Sequence, residues 1–469
     1  MMSSVIAEGL KSVASYKSAL IGAAIILMLV GISVYTVVAI PYDEAVRLWR
    51  AGEQTWIEAP RNAYPTWYSY LLQKRLPETI IKDSSKPELG VNKVIVPAGE
   101  TIKVLRIEMS FTFDYDDIPS EINIFYTVRY NKSAPQITMT WLKPDGTEIE
   151  LRKFNPGSDG AYYLSVDSSL ASREVERLVN KLGRRPSYEL TPTISLFAVE
   201  DQSILERETV SVMKGVYRLS VEGLLLDPQS DFDVKLVVYG KVYGWAGTDH
   251  LRRDIGIALL WGTPIALTFG LIASVSIALI QMAIGAISAW FGGVVDNFIQ
   301  RVTEVFIVLP FLPTLIMVST LYKIDIWTIL LVVIILLSFG PGVKNYRAVF
   351  LQLKESQYIE AAKAFGAGAP RIILLHLVPR VIPTMIPAIV YSVADFVFLE
   401  AALAILGIGD PRTPTWGKVI EDSFYGGALF KGLYYWTLQP AFLLLITSLS
   451  FALVGLTLDK IFNPRLREV

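Results

Sequence analysis

Two carboxylates, Asp395 and Glu400, stand inside an apolar run near the C-terminal end of this 469-residue chain. An acid within such a span is costly and faces a polar cavity or a partner. Both are therefore candidates to line a path through a membrane. Glu400 has a plainer alternative, capping or pairing near an interface and anchoring the loop from Gly407 to Trp416; Asp395 is the better path candidate. Little else in the chain could make or break bonds. Cysteine is absent, which excludes thiolate nucleophiles, disulfides and thiolate metal sites, and only two histidines occur, His250 and His376. No phosphate loop of the form G-x-x-x-x-G-K-[ST] exists, because Gly340-Pro341-Gly342 and Gly417-Lys418 lack the spacing. Arg301 and Glu304, one helical turn apart, read as a local ion pair, and His250 as an exposed loop residue.

A second group of residues does no chemistry of its own but has the form of a handle. Glu355 to Phe365 is rich in helix formers, and Gly366 and Gly368 break it. Ala369-Pro370 starts a second short helix, since proline is tolerated in a first turn. Pro379 and Pro383 then mark entry into an apolar span. The loop from Lys344 to Arg380 is too long for a simple connector. Within it Glu360 can meet basic or amide groups on a partner, while Lys363 and Arg371 can meet acidic ones or anionic lipid. Taken alone, these features favour an ordinary amphipathic interfacial helix over a docking element.

The elements that position these groups fall into two regimes. Hydrophobic residues make up 52% of the chain and charged residues 19%, with a net charge of −1, so no basic field suggests nucleic acid. Between Tyr42 and Ala246 there are 29 acidic and 25 basic residues, more than half of the chain's charge. That segment is water-soluble and the rest is lipid-embedded. Residues 18–40 form one apolar span, read as a retained anchor. Lys11 and Lys17 precede it against Glu8, which puts the N-terminal residues 1–17 in the cytoplasm. Five further spans are expected near 258–290, 303–322, 326–343, 381–405 and 436–459. Lys344, Arg347, Lys354, Lys363, Arg371 and Arg380, with Lys460, Arg465 and Arg467 at the end, place the 344–380 loop and the C-terminus on the same, cytoplasmic side.

Residues 41–246 then form an extracytoplasmic domain. It opens on an aromatic-rich helical stretch around Trp49, Trp56, Trp67 and Tyr68. Alternating β-branched runs predict strands at 93–96, 103–107, 122–128, 137–141, 215–221 and 233–239. Pro144-Asp145-Gly146 is a turn signal, and a helix is expected over 168–182, ended by Gly183. The arrangement reads as a mostly antiparallel β-sandwich. Its aromatics could stack on sugars or meet a binding protein, but they read first as sandwich core.

The 344–380 loop resembles the coupling motif of ABC importer permeases: EAA, three residues, Gly, nine residues, then I-x-L-P. Glu360-Ala361-Ala362 and Gly366 match by residue and spacing. His376 stands at the isoleucine position, Val378 at the leucine and Pro379 at the proline, and a histidine there is usual in the dipeptide/oligopeptide branch. Gly247-Thr248-Asp249 with Arg253-Asp254 is similar to that branch's GTD-x-x-GRD segment, with Arg252 in place of the glycine. Gly292 to Asp296 with Arg301 and Pro310, then Glu400 to Leu403, Leu406 to Gly409, Pro414 to Gly417, and Asn463-Pro464-Arg465 also resemble branch segments. Arg380 stands where asparagine is usual, and Leu456 where the branch has aspartate. The resemblance covers about Gly244 to Arg465 and, loosely, residues 18–40.

This resemblance implies a polytopic α-helical membrane protein with six transmembrane helices of the ABC type I importer permease fold. The β-rich domain would be inserted between helices 1 and 2, and residues 247–469 would form the permease domain. It implies the C-type subunit of a permease pair, coupling ATP hydrolysis on separate chains to uptake of peptides or oligosaccharides. Partners would be a B-type permease, two cytoplasmic ABC ATPases carrying ATP and magnesium, an external substrate-binding protein and the bilayer of a prokaryotic cell membrane. No cofactor would bind this chain and it would not itself be an enzyme. The coupling residues would be Glu360, Ala361, Ala362, Lys363, Gly366, Arg371, His376 and Pro379. Two alternatives differ in kind. A membrane-anchored receptor would need a cytoplasmic output domain, and a secondary transporter would show internal repeats and need no handle for an ATPase.

Overall fold

In the computed structural model, residues 16–462 are described, apart from 53, 88, 99–101, 228 and 323–324. Glu8, Lys11, Asn463-Pro464-Arg465 and Arg467 lie outside the described residues. The chain divides into two compact units, residues 1–50 with 255–469, and residues 51–254.

The first unit is helical. Its helices Lys17–Ala39, Ile255–Phe291, Ala369–Ile405 and Tyr434–Phe462 are each long and apolar enough to cross a membrane. Lys17–Ala39 has 23 residues, a length of about 35 Å at the usual helical rise. It lies closely against Tyr434–Phe462: a Cβ at Gly22 would sit 2.7 Å from the Ser450 carbonyl oxygen, so only glycine permits the approach.

The spans expected at 303–322 and 326–343 are not single straight helices. Gly293–Val308 and Phe311–Tyr322 meet at 79°, and Ile326–Ser338 and Gly342–Lys354 at 48°. Proline explains both breaks, since Pro310 and Pro341 push the residue before them out of the helical region and donate no N–H. At the second break the Gln281 amide donates to the Leu337 carbonyl oxygen at 2.7 Å, satisfying an acceptor that the helix end exposes.

The short helix expected after Ala369 is likewise not separate. It continues through one wide π-type turn, Ile373–Leu377, into Val378–Ile405. The helix Tyr42–Arg50, expected with the soluble segment, belongs instead to the helical unit. Its Ala45 and Trp49, one turn apart, are buried, and Ala45 sits in a cluster with Trp261, Ile265 and Phe269.

Among the described residues, the second unit holds nine strands in two sheets. One runs β1 (Ile80–Asp83), β9 (Asp231–Tyr239), β4 (Glu121–Arg129), β7 (Gly160–Tyr163); the other runs β2 (Val91–Pro97), β3 (Lys103–Phe113), β8 (Gly215–Leu225), β5 (Gln136–Leu142), β6 (Glu148–Phe154). All pairings are antiparallel. Alternation drives this: in β3 Leu105, Ile107, Met109, Phe111 and Phe113 point inward and meet Ile122, Ile124 and Val234 of the other sheet in one core. The expected strands are present, while β1, β6 and β7 carry weaker patterns. The helix Ser168–Leu182 is capped by the Asp167 carboxylate, which accepts from Ser169 N and Leu170 N, and ends at Gly183 with φ +76°.

Among the described residues, seven of the domain's aromatics are buried in the sandwich core. Trp141, Phe111, Phe113, Phe197 and Tyr217 form one interlocked cluster. His250 is half-buried rather than exposed. Arg252 stands where the family resemblance implies glycine, and its φ is +67°, a region that costs a side chain energy. The strain is offset by contacts glycine lacks. The guanidinium donates to the Ala59 carbonyl at 2.7 Å and to Glu121 Oε2 at 2.5 Å, and stacks 4.3 Å from the Tyr239 ring centre.

Candidate coupling site

The finger begins where the Ile255–Phe291 helix ends. Lys354 Nζ donates to the carbonyl oxygens of Ala289 at 3.0 Å and Trp290 at 2.8 Å, meeting the exposed acceptors of that helix terminus with positive charge. A second tie lies alongside. Asp296 accepts from Arg347 Nε at 2.6 Å and from Ser288 Oγ at 2.5 Å, joining the start of Gly293–Val308 to Gly342–Lys354. Arg347 holds the Asp296 carboxyl through paired N–H groups, the geometry in which an ion pair is strongest. Arg347 sits 51 residues from Asp296 in the chain, and sequence reading had counted it only as one positive charge among several.

From this base the chain forms the helix Gln357–Ala364. Ile359 and Ile372 are fully buried and Leu377 nearly so, in a cluster with Met282, Ala286, Ala289 and Phe350. Three apolar anchors thus hold the finger from below. Ala362 is half-buried against the same cluster, whereas Ala361 is exposed.

The helix ends in a Schellman turn. Gly366 N donates to Lys363 O at 2.9 Å and Ala367 N to Ala362 O at 3.1 Å, with Gly366 at φ +77°. A Cβ at Gly366 would meet nothing within 4 Å. The glycine is therefore required for its backbone conformation, not for space.

What remains outward is the handle itself. Glu360, Lys363 and Arg371 are exposed. Phe365, at the tip, is 92% exposed, and Leu374 and Leu375 are 63% exposed. Sequence reading missed Phe365, whose signal was available as a large apolar residue directly before the breaking glycine. Lys363 Nζ lies 5.4 Å from the Trp290 ring centre and Lys354 Nζ lies 5.7 Å from it. His376 and Pro379 are half-buried at the root and present no free face comparable to Glu360.

Asp395 and Glu400 are not brought to the finger. They lie far along Val378–Ile405, about 24 Å or more from Pro379 at the helical rise. Asp395 is exposed on the surface of the chain. One turn before it, Ser392 lines a cleft of about 450 Å³ shared with Ser274, Gln281, Asn345, Tyr346 and Thr384. Glu400 is buried and faces the Thr415 hydroxyl, with Oε2 unpaired among the described residues. The following Trp416 donates Nε1 to Leu259 O at 2.9 Å. A Cβ at Gly417 would lie 2.7 Å from Ala401 Cα. Glu400 therefore underlies the segment that seals Trp416 against the Ile255–Phe291 helix. Arg301 and Glu304 pair locally at 3.1 Å on an exposed face, with Lys344 at 3.6 Å from the same acid.

Comparison with known proteins agrees with this geometry. Residues 281–468, which include the whole finger, match the family described as "binding-protein-dependent transport system inner membrane component". The dipeptide transport system permease protein of Bacillus subtilis (strain 168) is 30% identical over 225 residues, 48% of this chain and 69% of that protein. The oligopeptide transport system permease protein of the same organism is 30% identical over 226 residues, 48% of this chain and 72% of that protein. A peptidoglycan transport system permease protein of Agrobacterium fabrum is 30% identical over 179 residues, 38% of this chain and 47% of that protein. Nothing favours a membrane-anchored receptor. With its helical unit, its anchored finger and these relatives, the chain belongs to the binding-protein-dependent transport system inner membrane components, in the dipeptide/oligopeptide branch, and is the permease subunit of an ABC importer.

Proposed function

We propose that this subunit forms half of a translocation path for peptides, in a heterodimer with a second permease, and is driven by two separate cytoplasmic ATPases that carry ATP and magnesium. In this reading the chain crosses the bilayer six times, each bent helix pair counting as one span. Its N-terminus and finger face the cytoplasm, and the β-domain lies outside, where an external binding protein delivers cargo. The relatives' names favour peptides over oligosaccharides, since they refer to dipeptide, oligopeptide and peptidoglycan transport.

The observation that carries the proposal is the finger's division into a buried root and a bare tip. Ile359 and Ile372 are fully buried, while on the same segment Phe365 is 92% exposed and Glu360 and Lys363 are exposed. A large exposed aromatic flanked by charge is the makeup of an interface anchor. A force on the tip reaches the membrane helices through Lys354, which binds the end of Ile255–Phe291, and through the unbroken continuation from Ala369 to Ile405. Closure of the ATPases would thereby tilt both helices and change access to the Ser392 cleft.

The test is co-purification of the ATPase subunits with the full chain carrying Phe365→Asp or Glu360→Ala. Phe365→Asp should abolish ATPase retention and Glu360→Ala should reduce it, with the permease pair still assembled. Full retention in both variants would show that the finger is not the docking element.

A further inference from the structure

The β-domain carries an aromatic ledge that its core does not use. Trp67 Nε1 donates to the Trp245 carbonyl at 2.9 Å, tying the short helix Tyr68–Leu72 to the segment before Ile255. Tyr64 and Tyr68 stack behind it with ring centres 4.5 Å apart. In front, Tyr70 is 84% exposed, Leu71 67% and Trp245 51%, with Trp67 and Leu72 also exposed. Residues 62–73 contain no charged side chain, and the exposed Lys74 follows directly. Arg75 is paired with Asp114 at 2.8 Å, and the exposed Glu78 comes next.

Chain connectivity says what covers this ledge. Within this domain, the segments 62–66 and 241–249 run together at the ledge as one ribbon. Tyr64 N donates to Lys241 O at 2.8 Å, Thr66 N to Gly244 O at 2.9 Å and Asn62 N to Asp249 O at 3.0 Å. Trp245 precedes the Ile255 helix by a stretch that could span at most about 35 Å if fully extended. It is shorter than that, because Asp249 N bonds back to Arg253 O at 3.1 Å. The ledge therefore lies within a short length of chain of the first residue of the Ile255–Phe291 helix. Tryptophan and tyrosine with adjacent leucine, bordered by a lysine, is the composition that settles at the headgroup boundary.

We propose that Trp67, Tyr70, Leu71, Leu72 and Trp245 form an interfacial foot that inserts into the outer lipid leaflet. The foot needs no partner protein. This rests on the membrane topology proposed above.

Because the chain lacks cysteine, single thiols label cleanly. Leu71→Cys and, as a control, Lys132→Cys near the opposite end of β9 would each carry an environment-sensitive fluorophore in the full chain reconstituted in phosphatidylcholine–phosphatidylglycerol vesicles. The Leu71 label should be quenched at least about twofold by a shallow spin-labelled lipid and be shielded from iodide, as expected at the interface; the Lys132 label should show the reverse. Iodide access at Leu71 equal to the control would overturn the proposal. Shielding from iodide without lipid quenching would also overturn it, in favour of a protein contact. In cells producing the Lys132→Cys chain, labelling by a membrane-impermeant maleimide only after the cells are permeabilised would mean the topology is wrong, whereas failure at Leu71 alone would leave the topology standing.

Discussion

The guanidinium of Arg380 lies 4.1 Å from the ring centre of Tyr358, bracing the first helix of the finger against the first turn of the long helix that continues to Ile405. Arg380 stands where the family resemblance implies asparagine, and Tyr358 keeps its hydroxyl buried without a hydrogen-bond partner among the described residues. The pair is therefore held by stacking and charge. Arg380→Asn should lower the stability of the detergent-solubilised chain by about 0.5–2 kcal/mol, the range of a partly shielded cation–π contact. Arg380→Lys should lose less. A melting curve for Arg380→Asn that overlays the parent would show the contact to be idle.

Gly366 separates conformational need from contact. Gly366→Ala places a methyl in open space but demands φ near +77°, costing about 1–2 kcal/mol. Gly366→Asn, which tolerates the left-handed region, should retain most ATPase binding where Gly366→Ala and Gly366→Val lose it. Equal binding by all three variants would remove the role given to the Schellman turn.

Gly262 faces the Trp416 ring so closely that a Cβ would stand 2.2 Å from Cδ1. Gly262→Ala must push the indole away from the Leu259 carbonyl and should destabilise the helical unit by about 1–3 kcal/mol, as overpacking does. Thermal unfolding followed by size-exclusion chromatography would detect it, and an unshifted transition would count against the tight seat of Trp416.

Glu200 accepts from Lys143 at 3.0 Å, from Arg177 at 2.6 and 3.1 Å and from Lys181 at 2.8 Å. Burial alone would raise its carboxyl, but bonds from Arg177, Lys181 and Lys143 overcome this and hold it at about 2, below the ordinary 4.5. A depressed carboxylate stabilises the fold fully above the unfolded value. The β-domain should therefore lose about 3 kcal/mol from this site as pH falls from 4.5 towards 2. Glu200→Gln should be less stable at pH 7 and show a shallower acid loss, because it leaves the Lys143 amine buried without its counter-charge. Unfolding profiles of parent and variant that run parallel from pH 7 to 3 would contradict the assignment.

Asp395 is exposed one turn from the cleft-lining Ser392. If Asp395 lines the path, Asp395→Asn should cut uptake at least about tenfold while ATPase co-purification stays normal, since such a charge acts on cargo and not on the finger. Normal uptake by Asp395→Asn would return this acid to an unassigned surface role.

What the sequence determined by itself is whatever depends on neighbours in the chain. Apolar runs marked the four membrane-length helices and the two bent helix pairs, alternation marked most strands, and Gly366 with Pro370 and Pro379 marked the helix-break-helix segment, because hydropathy and backbone restriction act over a few residues. Proline also signalled the breaks at Pro310 and Pro341, yet whether a break bends one span or ends it depends on packing. Arg347 and Asp296 are 51 residues apart and meet only because two helices close on each other. Likewise, no local rule says that Ile359 turns inward while Phe365 turns out, that Arg252 adopts a glycine conformation repaid by Glu121 and Tyr239, or that Trp141 is core while Trp67 is surface. Those assignments depend on which surfaces remain once the helices and sheets have found one another, so tertiary structure alone decided them.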